Sequence, residues 1–272
     1  MSFWILLILA ITQGLTEFLP ISSSGHLVML NNFFGIDSDI KLLSILLHIA
    51  TLLSVVIYYR KEILQLIRHP LCPTNRKIVI STLFTCLVVL ILKPLIDMTF
   101  NGDYIFVFFT LTALLLFIGD YMAERRHFKS RTCNFVAKNI SVSTSDITDI
   151  GVSYKQAILI GITQGIACIP GISRSGSTIA VGQISGACDN AKYSFLISIP
   201  IIILSFVMEI LEGGISTTGA NSWGLILSMV ICFSIGLYCI RLMSRLVAKN
   251  KMALFGYYLL GLSTILVVLS FF

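Results

Sequence analysis

Six apolar runs limit what this chain can fold into: about 41 to 60, 78 to 97, 103 to 121, 192 to 211, 223 to 241 and 252 to 272. A helix rises 1.5 Å per residue, so about 20 residues cross a hydrocarbon layer roughly 30 Å thick. Only 12% of the residues are charged, against about 25% in a soluble domain. The chain therefore reads as an all-α membrane protein, because spanning segments must satisfy their own backbone hydrogen bonds. No stretch outside these runs is long enough for a second domain, so residues 1–272 read as one integral membrane domain. Met1 to Ala10 lacks the basic start and small-residue cleavage site of a secretory leader and is expected to stay on the mature chain.

Charge between the runs is unevenly placed. Arg60–Lys77 and Glu124–Lys138 each hold five Lys/Arg, and Arg241–Lys251 holds four. The opposite ends carry Asp37 to Asp39, Asn101 to Asp103, and Glu209 with Glu212, with Lys41 and Lys93 as their cations. The positive-inside rule makes the three basic loops cytoplasmic. The first three runs then cross out-to-in, in-to-out and out-to-in, and the last three cross in the inverted sense. The net charge of +6 thus reports orientation, and nothing in it calls for nucleic acid.

An inverted order of spans implies duplication, which the sequence allows to be checked directly. "ITQGLTEFLPISSSG" (residues 11–25) aligns without a gap to "ITQGIACIPGISRSG" (162–176), with eight identities in fifteen. Such self-similarity marks an internal repeat, with halves of approximately 1–122 and 152–272 joined by a basic cytoplasmic linker. Each copy has an apolar arm, a Gly/Pro/Ser-rich break and a second arm too short to span. Both read as re-entrant hairpins, because irregular backbone at membrane depth persists only where protein or a water-filled cavity satisfies it. The expected architecture is six transmembrane helices plus two re-entrant hairpins, about ten helices. The breaks of inverted-repeat proteins meet near the membrane midplane.

The chemistry lies where the copies differ. Glu17 aligns with Cys168, Ser23 with Arg174, and His26 with Ser177. One half supplies a carboxylate and an imidazole, the other a guanidinium. An arginine inside the bilayer costs at least about 2.5–3.5 kcal/mol, so Arg174 is expected to face a polar interior and a partner. With Ser173, Ser175, Gly176 and Thr178 at a helix start, it forms a cradle for phosphate. A structural pairing of Arg174 with Glu17 is the plainer alternative, but it leaves the hydroxyl cluster unexplained. In the first copy, Glu17 suits a general base or a metal ligand, and Gln13, one turn earlier, suits orienting water or completing a metal shell. Ser22 and Ser23 offer a nucleophile, and His26 a general acid or base.

Other polar positions read as structural. His48 has no acid within a helical turn of sequence, and Asp120 and Glu124 beside Arg125 and Arg126 look like a solvated charge cluster. Pro200 is expected to kink its span. Trp4, Trp223, Tyr257 and Tyr258 fit an interfacial belt or lipid-facing surface. The seven cysteines are scattered, without zinc spacing, and read as buried apolar fillers.

The motifs resemble those of the bacterial undecaprenyl-diphosphate phosphatase family, the bacitracin-resistance type of integral membrane phosphatase. That family carries a (Glu/Gln)-x-x-x-Glu motif, here Gln13 to Glu17, followed by Ser-Ser-x-Gly-His, here within Ser22 to His26. Its second motif, Pro-Gly-x-Ser-Arg-Ser-x-x-Thr, is Pro170 to Thr178. The resemblance implies hydrolysis of undecaprenyl diphosphate to the monophosphate at the outer face of the cytoplasmic membrane, recycling the lipid carrier for the cell wall and conferring bacitracin resistance. It implies a divalent cation, Mg²⁺ or Ca²⁺, and carries over Glu17, Ser23, His26 and Arg174 as the catalytic set, with Ser22, Ser173 and Thr178 supporting phosphate binding. Gln13 stands where many members have Glu, and a neutral amide weighs against two carboxylates sharing the metal. The sequence leaves serine attack and attack by metal-bound water both open, together with assembly into a homo-oligomer. The competing reading is an inverted-repeat secondary transporter or lipid flippase for an anionic substrate; a purely structural scaffold would leave both polar clusters without a role.

Overall fold

A computed structural model describes residues 3–35, 40–100, 102, 104–129, 149–211 and 222–269. Among them the chain forms eleven helices: α1 (Phe3–Thr16), α2 (Ser23–Phe34), α3 (Ile40–Tyr58), α4 (Arg60–Arg68), α5 (Pro73–Thr99), α6 (Ile105–Lys129), α7 (Tyr154–Ile166), α8 (Arg174–Ser185), α9 (Asn190–Leu211), α10 (Ser222–Ala248) and α11 (Ala253–Leu269). Four have described apolar stretches long enough to cross a membrane: Pro73–Thr99, Ile105–Arg126, Asn190–Met208 and Trp223–Ala248. The runs expected at about 41 to 60 and 252 to 272 are also helical, as α3 and α11. Their described apolar stretches, Leu46–Tyr58 and Ala253–Leu269, are shorter. The acidic segment 37–39, Asn101, Asp103, Glu212, Cys133 and the linker 130–148 lie outside the described residues.

Helix ends follow local chemistry more than hydropathy. α5 starts five residues before the apolar run because Pro73 occupies the first turn, where a missing N–H costs nothing. α10 continues past its apolar run through Arg241 and Arg245 to Ala248. The basic loop after α3 contains a helix of its own: in α4, Ile63 and Leu66 pack on the core while Leu64 and Ile67 stay exposed. Pro200 lies inside α9 without ending it. Asp120 is no solvated charge. It is 4% exposed, and its Oδ2 accepts the Ala253 N–H at 2.7 Å, closing an orphan donor at the start of α11.

The repeat is visible in the caps. Ser22 caps α2 by accepting the Gly25 N–H, and the aligned Ser173 caps α8 by accepting the Gly176 N–H. Each helix is 12 residues long and stops at a left-handed glycine, Gly35 or Gly186. The helices preceding the breaks cross into the other half: α1 packs on α10, and its counterpart α7 on α5. Both crossings are close because both copies kept the glycine of "ITQG". A Cβ on Gly14 would lie 2.8 Å from the Cys232 carbonyl oxygen, and one on Gly165 would lie 2.6 Å from Val88 Cβ and 3.0 Å from the Thr85 carbonyl oxygen. Between these crossings lies a core that includes Phe18, Ile21, Phe109, Phe195 and Leu196, and the two breaks are embedded in it.

Gly165→Ala forces a methyl into α5 and is expected to lower the thermal unfolding temperature by the equivalent of about 1–3 kcal/mol. Gly261→Ala, whose Cβ would meet nothing within 4 Å, is expected to leave it unchanged or slightly higher. A thermal-shift comparison of the two purified variants in detergent checks this.

Candidate active site

The site is built by two helix interruptions that touch. α1 ends at Thr16, and Pro20, which has no N–H, lies in the turn before α2. Ser22 adopts φ 67°, rare for a residue with a Cβ, while capping α2. In the second break Gly171 takes φ 95°, and a Cβ there would lie 2.7 Å from Phe108 Cβ. The breaks face each other through matching positions. A Cβ on Gly25 would come 3.0 Å from Gly171 Cα, and one on Gly176 would come 2.8 Å from Pro20 Cβ. Ser175 Oγ also donates to the Leu19 carbonyl at 3.3 Å. Thr112 of α6 holds the second break from outside: its hydroxyl donates to the Gly171 carbonyl at 3.1 Å and accepts the Ser173 N–H at 3.2 Å.

Glu17 follows α1 directly, and its side chain is 6% exposed. Its Oε2 accepts the Ser23 hydroxyl at 2.7 Å and the Gln13 amide at 3.0 Å. Its Oε1 lies 3.5 Å from Arg174 Nη2, the first residue of α8. His48 of α3 brings Nε2 to 3.8 Å from Glu17 Oε2. An acid that no neighbour in sequence supplies to His48 thus reaches it through the fold. Beside the ion pair is a small cavity lined by Glu17, Phe18, Arg174, Ser175, Ser194, Phe195 and Ser198. Arg174 Nη1 is buried and makes no hydrogen bond, so the guanidinium retains donors for an anion.

The model of the bacitracin resistance protein BacA family matches residues 6–265, nearly the whole chain. The chain belongs to that family. Among its relatives, the undecaprenyl-diphosphatase of Carboxydothermus hydrogenoformans is 33% identical over 270 residues, covering 97% of this chain and 96% of the relative. That of Treponema denticola is 35% identical over 279 residues, covering 96% and 95%. Undecaprenyl-diphosphatase 4 of Bacillus cereus is 33% identical over 271 residues, covering 97% and 96%.

The two motifs of this BacA family member are distributed unevenly around the ion pair. Gln13, Glu17, Ser23 and Arg174 form one connected cluster. Ser22 and Ser173 serve the backbone as helix caps, and Gly176 provides the close approach to Pro20. Ser175 lines the cavity. The Thr178 hydroxyl donates to the Arg174 carbonyl at 2.8 Å and meets the hydroxyl of the cavity-lining Ser194 of α9. His26, one turn along α2 from Ser23, binds the Ser22 carbonyl through Nδ1 and the Tyr258 hydroxyl through Nε2, both at 2.8 Å. Tyr258, read above as belt or lipid-facing, therefore contacts the motif. His48, Thr112, Ser194 and Ser198 carried no motif signal. Each comes from a long apolar helix whose neighbours in sequence say nothing of what it meets across the bundle.

Thr112→Val removes two buried hydrogen bonds from the second break and is expected to destabilise by about 1–3 kcal/mol. Thr163→Val, which loses only a bond to the Leu159 carbonyl of its own helix, is expected to change stability by less than a third of that. Unfolding temperatures of the two variants decide it.

Proposed function

We propose that this chain hydrolyses undecaprenyl diphosphate to undecaprenyl phosphate and inorganic phosphate, as the names of its relatives say of them. The observation that carries the reading is Glu17 held between Ser23 at 2.7 Å and Arg174 at 3.5 Å. Such a carboxylate is placed to take the hydroxyl proton, while the guanidinium is placed to bind nonbridging oxygens of a diphosphate. The residues support a two-step route. Ser23 Oγ attacks the terminal phosphorus as Glu17 takes its proton, the bridging P–O bond breaks, and the lipid monophosphate leaves. Water then attacks the phosphoserine, and inorganic phosphate departs. Direct attack by water with Glu17 as base yields the same products, and Ser23 then orients Glu17. Cys168, which stands in the second copy where Glu17 stands in the first, suits neither role.

A divalent cation, Mg²⁺ or Ca²⁺, fits the donors in one respect. Gln13 Oε1 is buried without a hydrogen bond beside the Glu17 carboxylate, and hard cations take such oxygens together with water and phosphate. Among the described residues no three His, Cys, Asp or Glu side chains cluster to hold a metal. Gln13 and Glu17 would therefore supply the protein share of the shell, and the ion would neutralise phosphate charge.

The same reading makes the chain a single domain of two inverted halves, 1–122 and 152–272, in the bacterial cytoplasmic membrane. In it α1–α2 and α7–α8 are re-entrant hairpins, and the site opens to the outer face. The matching caps and glycine crossings support that arrangement.

Purified protein is expected to release inorganic phosphate from undecaprenyl diphosphate. Arg174→Ala and Glu17→Ala are expected to lose at least about a hundredfold in kcat/KM. Activity surviving in both variants would remove this site from the reaction.

A further inference from the structure

The ring of His26 is fixed on three sides. A carbonyl oxygen only accepts hydrogen bonds, so the contact of Nδ1 with the Ser22 carbonyl at 2.8 Å puts the ring proton on Nδ1. In the neutral ring Nε2 is then the acceptor, and the Tyr258 hydroxyl, 2.8 Å away, donates to it. The Tyr258 ring lies parallel to the imidazole, with an interplanar angle of 10° and centroids 5.8 Å apart. Phe109 of α6 sits 5.4 Å from the imidazole. It occupies the space left by Gly25, where a Cβ would lie 2.6 Å from the Phe109 ring. Tyr258 belongs to α11, in the half of the chain that does not carry His26, and is 47% exposed.

We propose that Tyr258 is a positioning residue for the reaction, holding His26 as the Nδ1–H tautomer and shielding Nε2 until a phosphate group arrives to displace the phenol. The inference rests on the phosphatase reading for its consequence in turnover, whereas the contact itself does not depend on it. It gives a role to a tyrosine outside both motifs. It also accounts for an imidazole that belongs to the motif yet spends both ring nitrogens on Ser22 and Tyr258: its reactive nitrogen is held in reserve, one helical turn from Ser23. Because the phenol is half exposed, it can swing aside without opening the core, which a buried partner could not do.

Tyr258→Phe keeps the stacked ring and removes only the hydroxyl. Two readouts are taken on the full-length protein in detergent. One is the rate at which diethyl pyrocarbonate modifies His26, resolved from His48, His69 and His127 by peptide mass spectrometry. The other is kcat and KM for undecaprenyl diphosphate. Diethyl pyrocarbonate attacks an unprotonated ring nitrogen, so freeing Nε2 is expected to accelerate His26 modification about five- to tenfold, the factor that corresponds to one hydrogen bond. Turnover is expected to fall about tenfold in kcat with KM within twofold. Unchanged labelling overturns the contact, and faster labelling with unchanged kcat overturns its role in the reaction. If wild-type protein releases no phosphate, the phosphatase reading fails instead, and the labelling result still judges the contact.

Discussion

A carboxylate and a guanidinium share one small space inside a chain that is 56% hydrophobic, and the rest of the architecture follows from that arrangement. Glu17 or Arg174 alone would be a buried charge without compensation, and breaking such a pair by removing one partner is strongly destabilising. The pair holds together because the two groups come from opposite copies of the repeat. The ion pair therefore also ties the two breaks to each other. The hydroxyl of Ser23 and the amide of Gln13 complete the shell of Glu17, which leaves Arg174 with donors to spare.

Duplication explains how such asymmetry arose on a symmetric frame. Ser23 and Arg174 each occupy the first position of a capped 12-residue helix that ends at a left-handed glycine. Both follow a serine cap, but the breaks reach that position differently, with Ser22 at φ 67° and Ser173 at φ −77°. The same holds one turn earlier. Gln13 and Gln164 are both fully buried, but Gln13 donates to Glu17, whereas Gln164, with cysteine in the acid's place, donates to the Thr85 hydroxyl and the Ile197 carbonyl. One copy contributes the carboxylate and the hydroxyl of the cluster, and the other contributes its guanidinium.

How much of this was legible in the sequence depends on whether the signal was local. The repeat, the breaks and the expected meeting of Glu17 with Arg174 were all legible, because polar residues in an apolar background stand out and duplication fixes their register. Helix starts were less legible. Pro73 and the amphipathic α4 extend helical structure beyond what a hydropathy window marks. Contacts between distant helices were not legible at all. A helix that is apolar all round gives no indication of which face meets which neighbour. His48 therefore read as structural until α3 was seen against Glu17, Thr112 could not be linked to Gly171, and Tyr258 looked like a belt residue. Asp120 was misjudged for a related reason: its partner is a backbone N–H of α11, and backbone donors have no signature in sequence.

The way the breaks are joined bears on whether the fold acts as a carrier or as an enzyme. A carrier that alternates access by rocking one repeat against the other would have to separate its halves at the site. Here the halves are stitched at that point. Pro20 lies against Gly176, Gly25 against Gly171, Ser175 binds the Leu19 carbonyl, and Arg174 faces Glu17. The α1–α10 and α7–α5 crossings are closed by glycines that leave no slack. Rocking would break all of these together. Bond cleavage needs the reverse, a base, a hydroxyl and a guanidinium held still while the substrate changes around them. The close contacts between the breaks are what an enzyme needs for preorganisation, and they are what a rocking carrier would have to give up.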